Sequence, residues 1–204
     1  TEISYTNTGY RWLQHALEPR VGPLGTAWRE MFFAPLGLHS VQFPEDVTDP
    51  VPGLATGYWR DETGAWRAGW YGAHLSGSGG LAGSARDLAG WLAALLAERT
   101  PVQGLLPRLA ARRRLIDGRE TGYGLGLARA PLLGIPLLGH GGSLPGFKNH
   151  VLIAPQHGVG VVLLSNREDT DPLGLALEVM AAGFGATLPQ PAAALPAGLF
   201  AAED

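Results

Sequence analysis

The sequence predicts an α+β fold, with helices first, an antiparallel strand meander after them and a helix at the end. Three observations predict it. Before residue 115, apolar residues recur at helical spacing in several stretches. After residue 120 the texture changes to short runs rich in β-branched residues and punctuated by glycine. Helices and strands are segregated along the chain rather than alternating, which suits an antiparallel sheet and not a parallel doubly wound one.

The elements follow in order. Thr6 or Thr8 can cap a helix running through Tyr10, Leu13 and Leu17. Thr26 opens a second helix over residues 27–34, stopped by Pro35 and Gly37. Residues 44–80 are rich in Gly, Pro, Asp and aromatics, and read as loops with one hairpin around Asp61-Glu62-Thr63-Gly64. Ser84 is a good N-cap, and Asp87 three residues on resembles a capping box with Asp in place of Glu or Gln. Leu88, Trp91, Leu92, Leu95 and Leu96 then form one apolar stripe. A shorter helix covers about residues 105–115. Strands are expected over 123–127 and 135–140. Residues 151–154 and 159–164 flank Pro155-Gln156-His157-Gly158 and read as a hairpin. The last helix covers about 172–184. The Pro/Ala-rich stretch 188–204 reads as a linker, either a free end or the lead into a further domain.

Composition excludes several function classes. The chain has 204 residues, enough for one domain or a domain plus a fragment, and 46% of them are hydrophobic. Net charge is −3, and only 16% of residues are charged, which is no footprint for nucleic acid. Arg112-Arg113-Arg114 follows an apolar helical pattern and reads as a solvated helix end. Without cysteine there is no disulfide, thiolate metal site or cysteine nucleophile. No apolar run approaches the ~18 residues of a membrane span. Compartment stays open. Lys148 is the only lysine.

Two motifs carry chemistry. Tyr5-Thr6-Asn7 places a phenol beside an amide; a phenol can carry protons if a neighbouring cation stabilises its anion. In isolation it equally fits a helix start at which the ring packs and Asn caps. His140-Gly141-Gly142-Ser143 ends a strand, and its glycines let a ligand approach the backbone. Alone, it also fits an incidental histidine at a strand exit.

Together, in this order and 135 residues apart, the two motifs resemble the second and third active-site elements of the serine β-lactamase and penicillin-binding-protein superfamily. Tyr5-Thr6-Asn7 looks like its Tyr-x-Asn, and His140-Gly141-Gly142 like the His-x-Gly variant of its Lys-Thr-Gly. Residues between them are similar too. Gly79-Gly80-Leu81 and Ser84-Ala85-Arg86-Asp87-Leu88 look like its helix entry, and Tyr123-Gly124-Leu125-Gly126 like one of its strands. Gly142-Ser143-Leu144-Pro145-Gly146-Phe147 and Leu164-Ser165-Asn166 match those that close its sheet. The resemblance covers about residues 1–185. It implies a β-lactamase/transpeptidase-like fold, incomplete here, with an antiparallel sheet flanked by helices beside a helical region. Residues 1–187 are then the C-terminal part of a catalytic domain.

The resemblance also implies roles. Tyr5 carries a proton, to or from an attacking serine or a leaving group. His140 stands where the family often has lysine, either as a cation that eases ionisation of Tyr5 or as a neutral donor that orients it. Asn7 hydrogen-bonds the substrate amide. Gly141 and Gly142 leave room for substrate along the strand, and Ser143 follows them where the family supplies a backbone N–H to the oxyanion. The family's nucleophilic Ser-x-x-Lys is missing from all 204 residues and belongs ahead of Thr1. A fragment explains this most simply; a pseudoenzyme that binds peptides without cleaving them is the alternative. Relatives with His-x-Gly include D-aminopeptidases, amidases, esterases and some lactamases. Pro196-Ala197-Gly198-Leu199-Phe200 is similar to the entry to the extra domain of D-aminopeptidases. A serine hydrolase of peptides, amides, esters or lactams is therefore expected, of D-aminopeptidase or carboxypeptidase type, with no metal or organic cofactor implied.

Other patterns are weaker. Gly77-Ser78-Gly79-Gly80-Leu81-Ala82 fits a dinucleotide fingerprint, but no strand precedes it. The Gly-x-Ser-x-Gly of α/β-hydrolases is absent. His140, His150 and His157 match no zinc spacing, and His150 and His157 read as surface or strand histidines.

Overall fold

A computed structural model of the chain describes residues 3–44, 46, 48–69 and 76–186. The expected linker 188–204 lies outside them.

Helix α1 spans Thr8–Val21. Its N-cap is Asn7, not a threonine, and the Asn7 side chain makes no capping hydrogen bond. The backbone at Asn7 is already helical, φ −71° and ψ −22°. A side chain reaches back over the first turn from extended backbone, not from this. Thr6 serves instead, its Oγ1 accepting from the Thr8 N–H at 3.1 Å. No α1 residue is buried; Trp12, Leu13 and Leu17 are exposed.

The second helical run begins at Leu24 rather than Ala27. Helix α2 (Leu24–Trp28) continues through a π turn, Arg29–Phe33, and a 3-10 turn, Ala34–Leu36. Pro23 supplies the extended backbone before it, and burial of Leu24 fixes the start. Pro35 is accommodated within the 3-10 turn, and Gly37 ends it at φ 72°. Phe33, Leu38 and Val41 form a small core there with Trp28, Leu88 and Trp91 around it.

The expected hairpin is present: β1 (Tyr58–Arg60) pairs antiparallel with β2 (Trp66–Ala68). The Asp61 carboxylate shapes the turn, accepting from the Thr63 and Ala65 N–H groups at 2.9 and 3.0 Å.

Helix α3 spans Ala85–Leu96, with Ser84 as N-cap accepting from the Asp87 N–H at 3.2 Å. The capping box does not close as expected, because Asp is one methylene shorter than Glu. The Asp87 carboxylate instead accepts from the Ser40 N–H and hydroxyl at 2.8 and 2.7 Å. Ser40 Oγ in turn accepts the Ser84 N–H at 3.0 Å. Helix α4 covers only Leu105–Leu109. Its terminal carbonyls are claimed from outside: Leu109 by the Leu125 N–H at 2.7 Å, Ala110 by the Arg129 guanidinium at 2.6 Å. Arg112 and Arg114 therefore lie beyond the helix, and both pair with Glu120.

Residues 123–127 are not a strand. The chain there is a loop, and the strand comes next, as β3 (Ala128–Leu132). With β4 (Ile135–Leu144), β5 (Phe147–Ala154) and β6 (Val159–Ser165) it forms a four-stranded antiparallel meander in the order β3-β4-β5-β6. Strand β4 runs through the glycines and past residue 140, where it was expected to end. Helix α5 spans Pro172–Gly183, capped by Asp171.

Side-chain alternation divides the sheet between two cores. Leu137, Leu152 and Ala154 face α5, packing on Ala176, Leu177, Met180 and Ala181. Leu138 and Ile153 face the other way, onto Leu92 and Leu95 of α3 and Leu106 of α4. Burying each such leucine contributes about 1.5–3 kcal/mol. The sheet is thus a middle layer between α5 and the α3–α4 pair.

Candidate active site

The candidate site lies where β4 outruns β3. Pairing of β3 with β4 stops at Ala128 opposite Gly139, whereas β5 stays paired with β4 as far as Leu144. From His140 to Leu144, one edge of β4 therefore has no neighbouring strand among the described residues. His140 shares a face with Leu138, the face toward α3.

Tyr5 precedes α1, and the structure brings it to His140. Their rings lie 6.1 Å apart between centroids at an interplanar angle of 32°. Asn7 follows at the start of α1, exposed and free of capping duty. Gly141 and Gly142 continue β4 half-buried, and Ser143 is exposed. The six residues expected to make a site therefore belong to two stretches that converge through Tyr5 and His140.

The glycines also have a packing role that the sequence does not reveal. Gly141 lies opposite His150 on β5, and Gly142 opposite Asn149. A Cβ on Gly141 would come within 2.8 Å of the His150 Nδ1, and one on Gly142 within 2.7 Å of the Asn149 Nδ2. His150 is a strand residue, as expected, but not a surface one, being only 2% exposed. It fills the space that two side-chain-free positions, Gly139 and Gly141, leave over β4. His157 sits in the turn after β5, its ring 5.0 Å from that of Phe184.

Burial dominates the electrostatics. It pulls the His140 imidazole below its usual pKa, with a hydrogen bond to the Gly141 backbone pulling weakly the other way. Burial therefore favours the neutral form of the His140 imidazole over the cation. His150 is driven down to about 4, chiefly by burial and then by nearby His140, against a small opposing pull from Asp171.

Two further phenols surround the pair. Tyr123 lies edge-on to both rings, and burial followed by the proximity of Tyr5 raises the Tyr10 pKa. Neither stood out in the sequence, because Tyr10 fits the apolar stripe of α1 and Tyr123 the start of an apparent strand.

A family model described as Beta-lactamase matches residues 1–182. A D-aminopeptidase from Cereibacter sphaeroides is 26% identical over 191 residues, which cover 93% of this chain but 37% of that protein. The chain thus spans well under half the length of this relative. Among solved structures, the octameric penicillin-binding protein homologue from Pyrococcus abyssi superposes with a TM-score of 0.78 at 24% identity, over 92% of this chain and 44% of that one. A D-stereospecific amidohydrolase from Streptomyces sp. gives 0.73 at 21% identity, over 90% and 56%. These likenesses show the expected β-lactamase/transpeptidase-like α+β fold, in part. With most of its length matched by the family model, the chain belongs to the beta-lactamase family.

Proposed function

We propose that this chain is the C-terminal part of the catalytic domain of a serine hydrolase. It opens amide or peptide bonds through an acyl-enzyme and is of D-aminopeptidase type. The observation that carries the reading is the meeting of Tyr5 and His140, rings 6.1 Å apart, beside the open edge of β4. The D-aminopeptidase relative supports the substrate class.

The nucleophile is a serine outside these 204 residues, since they contain no Ser-x-x-Lys. Its Oγ bonds to the carbonyl carbon while its proton passes by way of Tyr5 to the leaving nitrogen. The C–N bond breaks, the amine departs neutral, and water repeats the sequence on the ester. His140, whose charged form burial disfavours, orients the phenol rather than supplying charge to it. Asn7 holds the substrate amide. Backbone groups of Gly141, Gly142 and Ser143 line the substrate along β4, and an N–H there receives the oxyanion. The exposed apolar stripe of α1 offers the rest of such a domain a face to pack against.

The test is acylation of the whole protein. A fluorophosphonate probe should label a serine outside residues 1–204, located by mass spectrometry. Tyr5→Phe and His140→Ala should each lower kcat on D-alanine p-nitroanilide about 100-fold or more, with little change in KM. Unchanged turnover in both variants, or a label on a serine within this chain, refutes the reading.

A further inference from the structure

We infer that Tyr123 is a positioning residue for this reaction, its ring bracing the Tyr5 phenol and the His140 imidazole against each other. The inference rests on the hydrolase reading above and adds a third residue to it.

The geometry is a triangle of rings. Tyr123 lies 6.2 Å from Tyr5 at 87° and 6.0 Å from His140 at 68°, while Tyr5 and His140 lie 6.1 Å apart. Both Tyr123 contacts are edge-to-face, the arrangement that aromatic quadrupoles favour at this separation. Tyr5 needs such a brace. It precedes α1, outside the hydrogen-bond ladder of that helix, and is 40% exposed. A phenol on an unladdered segment samples several rotamers unless its ring is held.

Tyr123 is itself firmly held. The Thr121 hydroxyl donates to the Tyr123 carbonyl at 2.8 Å. On one side of it the Arg129 N–H donates to the Gly122 carbonyl, and on the other the Gly124 N–H donates to the Leu127 carbonyl, both at 2.8 Å. Gly124 sits so close under the Leu109 carbonyl that no side chain fits there. The loop over 121–127 is thereby pinned to α4 and β3, and it carries the ring to the site. Burial, then the phenols of Tyr10 and Tyr5, push the Tyr123 pKa well above its ordinary value. Tyr123 therefore remains a neutral ring beside groups that exchange a proton.

The test compares Tyr123→Leu, Tyr123→Ala and Tyr123→Phe in the whole protein on D-alanine p-nitroanilide, with Tyr5→Phe and His140→Ala in parallel. Circular dichroism and thermal unfolding check the fold of each. Loss of the ring should lower kcat about 10- to 100-fold, as a displaced reacting group does, and leave KM within about threefold. Phenylalanine, which keeps the ring, should recover turnover to within about threefold of wild type. In the free protein, the His140 Cε1–H resonance should move in Tyr123→Leu, through the lost ring current, and hardly move in Tyr123→Phe. Wild-type kcat in a folded Tyr123→Leu protein overturns the inference. So does a rise in KM alone, which marks a substrate contact, or a Phe variant as damaged as the Leu one. If Tyr5→Phe and His140→Ala also leave turnover intact, the hydrolase reading has failed; if they abolish it while Tyr123→Leu does not, only the bracing role has.

Discussion

His150 occupies the volume that a side chain on Gly141 would need: a Cβ there would stand 2.8 Å from the imidazole Nδ1. Both residues are held in register across β4 and β5, so neither can step aside without moving a strand. Gly141→Ala should therefore destabilise the protein by about 1–3 kcal/mol, the usual cost of overpacking. In a His150→Ala background the same substitution should cost markedly less. Urea unfolding of the two singles and the double measures the coupling; purely additive effects would show that the imidazole is not the obstacle.

His150 should also make stability depend on pH. Its folded pKa is about 4, against an ordinary value of 6.5. Between those values the unfolded chain binds a proton that the folded chain does not. Stability should therefore fall as pH drops from about 6.5 to about 4 and level off below, by on the order of 3 kcal/mol for this group. His150→Gln should flatten that slope relative to wild type. Urea midpoints at pH 7 and pH 4.5 for both proteins provide the comparison, and parallel slopes would count against it.

Ser40 joins the cap of α3 to the small aromatic core. It donates twice to Asp87 and accepts the Ser84 N–H. Ser84→Ala and Asp87→Ala should each cost about 1 kcal/mol. Their double variant should cost less than the sum, because both act through Ser40. Thermal unfolding should register each single change as a shift of about 2–4 °C.

Trp66 fastens the hairpin to the end of β6. The Arg60 guanidinium carbon lies 4.3 Å from its ring centroid and that of Arg167 4.8 Å. The Tyr58 N–H donates to the Asn166 carbonyl and the Glu168 N–H to the Tyr58 carbonyl. Each cation–π contact contributes about 0.5–1 kcal/mol at so exposed a place. Trp66→Ala should expose residues 57–69 to limited proteolysis several-fold faster, with only a small loss of global stability. Trp66→Phe, which keeps a ring for both arginines, should lie between the two.

By itself the sequence determined what local chemistry controls. Helical periodicity located α3, the Asp61–Gly64 turn located the hairpin, and the Pro155–Gly158 link located the pairing of β5 with β6. The ordered motifs around Tyr5 and His140 pointed to the family. What depended on contact between distant residues was decided by the tertiary structure. Tyr-Gly-Leu-Gly-Leu alternates like a strand, yet hydrogen bonds to α4 and β3 fold it into a loop. The strand falls on Ala128–Leu132, disguised by Pro131, which is tolerated because β3 is the edge strand among the described residues, with no neighbour there awaiting its missing N–H. Nothing local marked His150 as buried, since its burial depends on two glycines of the neighbouring strand. Nor could spacing show that Tyr123 joins Tyr5 and His140: a ring's neighbours in sequence say little about which rings it meets when a loop is pinned across a sheet.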